Sequence, residues 1–236
     1  MLPQQLGSSR TSLQSNHLLQ TPDSFIRAPL PGMSKATAII HAGPALGARF
    51  TEYTAEMEAG GKLGPATNQR FFYVFSGQVT LNGETLGSGC YGFVPHELTA
   101  ASESKLIVIE KPYQSIGSAV PKHFTGNVAL IQPQPLMGDE GVLVQPLIPD
   151  APEFDFAVNL MTFAPGAALS LVETHIMEHG LMMLEGGGIY RLGDHWYPTM
   201  AGDFIWMAPF CPQWFGAIGN SPAKYLIYKD WNRHPL

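Results

Sequence analysis

Two stretches of the chain share one grammar. "FFYVFSGQVTLNGETLGSGCYGFVP" (71–95) and "GLMMLEGGGIYRLGDHWYPTMAGDFIWMAP" (180–209) each run from an apolar segment through a glycine turn to a short segment, then a hairpin turn at "NGE" or "GDH". Each continues through another glycine and an aromatic-rich segment to a proline. Aligning Gly77 with Gly186 brings Gly83 near Gly193 and Pro95 near Pro209, with a few residues inserted in the second copy. Turn residues at such short intervals forbid long helices, so each copy is a unit of short antiparallel strands closed into a small barrel or sandwich. The mouth of such a barrel is a usual place for a ligand. Prolines and acids interrupt the apolar pattern in "PLMGDEGVLVQPLIPDAPEF" (135–154), where the join between copies is expected. The division that follows is a polar N-terminal arm over 1–34, a first barrel over 35–130 and a second over 150–236. The arm is expected to be partly disordered or to wrap a neighbour.

Composition supports this and excludes several partners. The 236 residues are 45% hydrophobic, ample for a core, and only 14% charged. The 25 Gly and 20 Pro are the profile of many short strands joined by turns. A formal net charge of −6 without a Lys/Arg cluster argues against nucleic acid or an anionic membrane as partner. No apolar run approaches the length of a membrane span, and "MLPQQLGSSRTSLQSNHLLQTPDSF" lacks the basic and apolar regions of a secretory signal. Cys90 and Cys211 lie far apart without CxxC spacing, so two free thiols in a reducing, cytoplasmic setting are expected.

The chemistry concentrates in "ETHIMEHG" (173–180), where Glu173, His175 and His179 fall within seven positions. On a helix, at about 100° per residue, Glu173 points away from the two histidines. On a strand, all three odd positions share one side. Strand geometry therefore makes a three-donor cluster, and the flanking "MTFAPGAALSLV", Gly180 and Gly186 suit strands and turns. A hydrogen-bonded polar cluster in a barrel mouth and a helical H-x3-H zinc pair stand as alternatives. The last strand, "YLIYKD" (225–230), obeys the same parity: Tyr225, Ile227 and Lys229 share one face, Leu226 and Tyr228 the other. If the Tyr225 face looks inward, a lysine and a phenol enter the pocket together; otherwise the Lys229 head reaches water at the rim.

The segment G-x6-E-T-H-x3-H-x6-G, from Gly166 through Glu173, His175 and His179 to Gly186, resembles the first cupin motif, with Glu and His exchanged at two ligand places. "YPTMAGDFIWMAPFCPQ" resembles the second, with Gln213 where most cupins carry histidine. From about residue 35 to the "YKD-NR" tail, the chain is similar to the bicupin (S)-ureidoglycine aminohydrolases of purine-ureide catabolism. The resemblance implies an all-β bicupin, two tandem jelly-roll-like barrels, and a metal held by Glu173, His175, His179 and Gln213. Alone, a Gln after "CP" is a loop residue; the motif register makes it a ligand. A carboxylate, two imidazoles and an amide oxygen suit Mn²⁺, with Fe²⁺ or Zn²⁺ as alternatives, and leave positions open for water or substrate.

The implied reaction converts (S)-ureidoglycine to (S)-ureidoglycolate and ammonia. Tyr190, Tyr225 and Lys229 are implied in the substrate pocket, and Lys229 and Glu173 in catalysis. The first copy carries Gly64, Ala66 and Arg70 at the ligand register, so one metal per chain is expected. His96, without partners nearby in sequence, is expected at the rim, and His195 in solvent. Trp206 and Trp214 flank the second motif as core or pocket wall. A homo-oligomer is expected. Rival functions are another cupin metalloenzyme (a dioxygenase or isomerase), a small-ligand-binding cupin, and a structural bicupin.

Overall fold

The computed structural model describes residues 9–233, whose regular secondary structure is almost entirely β-strand. Among them the only helical turns are three short 3-10 segments, Pro22–Ser24, Pro44–Leu46 and Val128–Leu130. The first half forms one curled sheet of ten strands built around Thr51–Leu63, Gln69–Ser76 and Ser104–Lys111. The second half packs a three-stranded sheet (Gly187–Leu192, His195–Met200, Gln213–Ala217) against an eight-stranded one. The latter has His179–Glu185, Ala223–Asp230 and Phe156–Phe163 side by side at its centre.

The repeated grammar becomes repeated structure. Gly77 ends Gln69–Ser76 at φ 79° and Gly186 ends His179–Glu185 at φ 66°, the left-handed region that a side chain rarely enters. In each half a hairpin and an aromatic strand follow, Cys90–Phe93 in the first and Phe204–Met207 in the second. Each half has its own core. Tyr53, Phe72, Val74 and Leu106 belong to one, and Phe163, Leu181, Tyr190, Phe215 and Tyr225 to the other. A third cluster joins the halves, with Phe71, Phe93 and Ile107 on one side and Phe156, Met182, Trp206 and Tyr228 on the other. The strands His179–Glu185 and Ala223–Asp230 are thus apolar on both faces because one face fills the second barrel and the other packs on the first. Full burial of each large side chain there contributes about 1.5–3 kcal/mol, so the two halves act as one body.

The N-terminal arm departs from expectation. Among its described residues, His17–Gln20 adds an antiparallel strand to Phe204–Met207, with Gln20 opposite Phe204 and His17 opposite Met207. Ser12–Leu13 extends that edge. The physical reason lies in "HLL": His17, Leu18 and Leu19 are buried, and the strand covers an edge that would otherwise expose unpaired backbone groups. Arg10 locks the segment down through a two-pronged ion pair with buried Asp203, at 2.7 and 2.8 Å. The part of the arm before residue 9 lies outside the described residues. The second barrel also begins before residue 150, because Gln134–Leu136 and Asp139–Pro146 join its sheet.

Candidate metal centre

The octet 173–180 is not the continuous strand that parity implied. Glu173 sits in an isolated antiparallel bridge with Gln213, the chain bends at Ile176 and Met177, and regular strand begins at His179. The bend follows from competing attachments. Glu173 N–H donates to Gln213 C=O at 2.8 Å and Gln213 N–H to Glu173 C=O at 2.9 Å, which ties Glu173 to the three-stranded sheet. His179 is registered into the other sheet opposite Met207 and Lys229. The octet crosses between the two sheets, and its polar side chains gather at the crossing.

Glu173 and His175 touch, with His175 Nε2 3.2 Å from Glu173 Oε2. The rings of His175 and His179 stand edge to face with centroids 5.3 Å apart. Exposure falls from 32% for His175 and 20% for Glu173 to 4% for His179, so the cluster is open on one side and closed behind. The Nδ1–H of His179 donates to the carbonyl of Tyr228 at 3.3 Å, which leaves Nε2 as the bare lone-pair nitrogen. That nitrogen is buried and meets no hydrogen-bond partner. Burial first, then His175 and Lys229, lowers the His179 pKa to about 3, so the ring stays neutral around neutral pH. Gln213 is buried, and its Oε1 accepts a hydrogen bond from the Tyr190 hydroxyl at 3.0 Å.

Among the described residues, no three His, Cys, Asp or Glu side chains are drawn into a set that could by itself hold an ion. The donor chemistry nevertheless fits one. The closest pair, Glu173 and His175, share a hydrogen bond that a cation would replace. An imidazole fixed through Nδ1 to a backbone carbonyl, with its other nitrogen unpaired in the interior, is the usual arrangement of a metal-ligating histidine. A buried lone pair without a partner is otherwise a net cost.

Tyr225 and Ile227 pack inside the second barrel, while Leu226 and Tyr228 face the seam between barrels. Tyr225 is buried, and burial followed by the Glu173 charge raises its pKa. Lys229 is the cross-strand neighbour of His179 and is half-buried. Its ammonium lies over the Trp231 ring, 4.1 Å from the centroid. Burial lowers its pKa, and Asp150 and Glu173 oppose that shift. Tyr190, implied as a substrate contact, is 1% exposed and its hydroxyl is engaged by Gln213. Trp206 turns into the seam and Trp214 donates to Leu169 C=O at 2.7 Å. His195 is exposed. Glu173 also borders a recess of about 20 Å³ shared with Leu136, Met137 and Asp139. Trp231 is the residue at this site that the sequence pattern missed. Its only signal was its place between "YKD" and "NR".

The equivalent place in the first barrel is filled differently. Arg70 and Glu110 are cross-strand partners there, as His179 and Lys229 are in the second. The Arg70 guanidinium is buried, pairs with Glu110 at 2.8 Å and donates to the carbonyls of Gly64 and His96. Tyr53 donates to the same Glu110 at 2.8 Å. A fixed cation thus occupies that mouth, beside a cavity of about 430 Å³.

The sequence profile of the cupin domain family matches residues 159–228. The chain is 37% identical to the (S)-ureidoglycine aminohydrolase of Arabidopsis thaliana, over 98% of this chain and 80% of that one. It is 30% identical to the (S)-ureidoglycine aminohydrolase of Escherichia coli (strain K12), over 92% and 89%. Among solved structures, a putative glyoxylate induced protein from Pseudomonas aeruginosa superposes with a TM-score of 0.88 at 28% identity, covering 98% of this chain and 94% of that one. Oxalate decarboxylase of Bacillus subtilis, at 12% identity and a TM-score of 0.67 over 92% and 78%, shares the fold alone. The chain is an all-β bicupin and belongs to the (S)-ureidoglycine aminohydrolase family.

Proposed function

We propose that the chain hydrolyses (S)-ureidoglycine to (S)-ureidoglycolate and ammonia at a single divalent-metal centre, with Mn²⁺ preferred and Fe²⁺ or Zn²⁺ as substitutes. The observation that carries the metal assignment is the buried, unpartnered Nε2 of His179, whose ring stands against His175, itself in contact with the Glu173 that bridges to Gln213. Those four residues would hold the ion, which supplies Lewis acidity toward substrate and bound water.

The chain's own groups account for the rest. A C–N bond breaks and a C–O bond forms: water gives its oxygen to the carbon that bore the amine, and its protons leave with ammonia and on the new hydroxyl. Lys229, on the strand beside His179, supplies positive charge and a proton at Nζ for the departing nitrogen. Trp231 beneath the ammonium limits where it can swing. Burial lowers the Lys229 pKa and so eases release of that proton, against the opposing charges of Asp150 and Glu173. Tyr225 presents a phenol that burial keeps protonated, a donor for the ureido oxygen or the carboxylate. Tyr190 fixes the Gln213 amide through a hydrogen bond to its oxygen, the atom that would serve as ligand. The first barrel, with Arg70 in place of a metal ligand, binds no ion.

We further propose that copies of the chain associate. Exposed Phe75 borders an apolar cleft of about 210 Å³ with Phe25, Met182 and Leu184, a surface suited to burial against another copy. The two free cysteines fit a cytoplasmic setting. The reaction is tested by ammonia release from freshly generated (S)-ureidoglycine, with and without added Mn²⁺. Release that is unaffected by exhaustive metal removal refutes the metal assignment.

A further inference from the structure

The strand that carries His179 is gripped from the other barrel. Arg49, just ahead of the first-barrel strand Thr51–Leu63, reaches across the seam to two carboxylates that are each 1% exposed. Its backbone N–H donates to Glu178 Oε1 at 2.9 Å, its Nε lies 3.4 Å from the same oxygen, and its terminal nitrogen pairs with Asp230. Glu178 immediately precedes His179, and Asp230 immediately follows Lys229. Among the described residues neither carboxylate has another cation within ion-pair distance. Their remaining partners are neutral: Trp206 Nε1 for Glu178 at 3.3 Å and the Tyr228 hydroxyl for Asp230 at 3.4 Å.

The residue after Arg49 reinforces the grip. Phe50 stacks on Tyr228 with centroids 3.9 Å apart, and Tyr228 is the residue whose carbonyl orients His179. A side chain at Gly180 would meet the Phe50 ring at 2.7 and 2.8 Å and run into the Glu52 carboxylate. The segment 49–52 therefore presses on the backbone of 178–180 while bracketing 228–230 from the same side.

We propose that Arg49 is a positioning residue for the metal centre of the second barrel: one guanidinium from the first barrel fixes the two strands that present His179 and Lys229 to each other. This rests on His179 and Lys229 being site residues. It gives the metal-free barrel a task in the reaction, as the platform that sets the geometry of its partner. Removing the guanidinium takes away the one group that bridges Glu178 and Asp230, so the two strands lose their common tie and are free to shift apart. Arg49→Lys keeps the charge but cannot fork between Glu178 and Asp230, so it restores the geometry only in part. Arg70→Met is the control, since it breaks a buried ion pair of the first barrel away from the seam.

The test is backbone amide exchange followed by mass spectrometry on metal-free protein, combined with Mn²⁺ affinity by calorimetry. Arg49→Met should speed exchange over 176–182 and 226–231 by about tenfold or more and weaken Mn²⁺ binding by about 10- to 100-fold, the range for a lost outer partner of a metal ligand. Arg49→Lys should give a smaller change in the same peptides, and it decides the matter alone if Arg49→Met does not fold. Arg70→Met should leave those peptides and the affinity unchanged. Normal exchange in both Arg49 variants, or equal acceleration by Arg70→Met, overturns the proposal. Because exchange is read without metal, a wild type that fails to bind Mn²⁺ would refute the metal assignment and leave the role of Arg49 decided on its own.

Discussion

His41 should make the protein lose stability as the pH falls from 7 to 5. The ring is 3% exposed, stacked on Phe204 at 5.0 Å and met edge-on by Phe25 at 5.1 Å. Its Nδ1 lies 2.7 Å from Gln20 Oε1 and its Nε2 2.8 Å from Thr54 Oγ1, so it pins the N-terminal segment to the first barrel with both nitrogens used. Burial lowers its pKa from 6.5 to about 3. The folded state therefore refuses a proton that the unfolded chain accepts below about pH 6.5. The contribution is complete above that value and is lost progressively down to about pH 3. Between pH 7 and pH 5 the loss is about 2 kcal/mol, from roughly 1.5 pH units at 1.36 kcal/mol each. Urea unfolding followed by tryptophan fluorescence at the two pH values measures it, and comparison with His41→Gln isolates it from His17 and the carboxylates. The variant should start less stable at pH 7 and show a pH 7-to-5 loss smaller by about 2 kcal/mol. Equal losses in both proteins would show that His41 takes up a proton in the folded state, and the burial argument would fail.

Gly180→Ala should destabilise the chain by about 1–3 kcal/mol, because the added carbon meets a Phe50 ring already stacked on Tyr228. Thermal unfolding should then fall by about 2–12 °C for a chain of this size, and an unchanged transition would contradict the seam packing. Lys229→Met should keep the fold and metal content while turnover drops about 100-fold or more, with Lys229→Arg a poor substitute. Near-normal rates in both variants would place Lys229 outside the chemistry. Tyr190→Phe should weaken Mn²⁺ binding more than it changes the Michaelis constant, since its hydroxyl is spent on Gln213; the reverse pattern would make it a direct substrate contact.

Much of this was legible in the residues because turn chemistry and parity are local. Gly77 and Gly186 announce left-handed turns, and the alternation in "YLIYKD" already separates the Tyr225 face from the Tyr228 face. The octet 173–180 shows where such reasoning runs out. Parity put Glu173, His175 and His179 on one side of an assumed strand, but the segment instead crosses from one sheet to another through a bend, with His175 in contact with Glu173 and its ring against that of His179. Which sheet each end joins is a matter of long-range pairing, and local periodicity does not encode it. The same limit applies to the arm: "HLL" gives no local sign that its partner is Phe204–Met207, far along the chain. Arg49 was invisible for the same reason, since nothing near it in sequence hints at Glu178 or Asp230.

The most direct measurement is ammonia release from freshly generated (S)-ureidoglycine by protein stripped of metal and then titrated with Mn²⁺. Stripped protein should be inactive, activity should return and saturate at one Mn²⁺ per chain, and His175→Ala should neither bind the ion nor recover. Saturation at two ions per chain would mean that the first barrel is not closed by Arg70 and Glu110. Full activity in the stripped protein, or recovery of His175→Ala to the wild-type rate, would contradict the assignment of Glu173, His175, His179 and Gln213 as the catalytic metal centre.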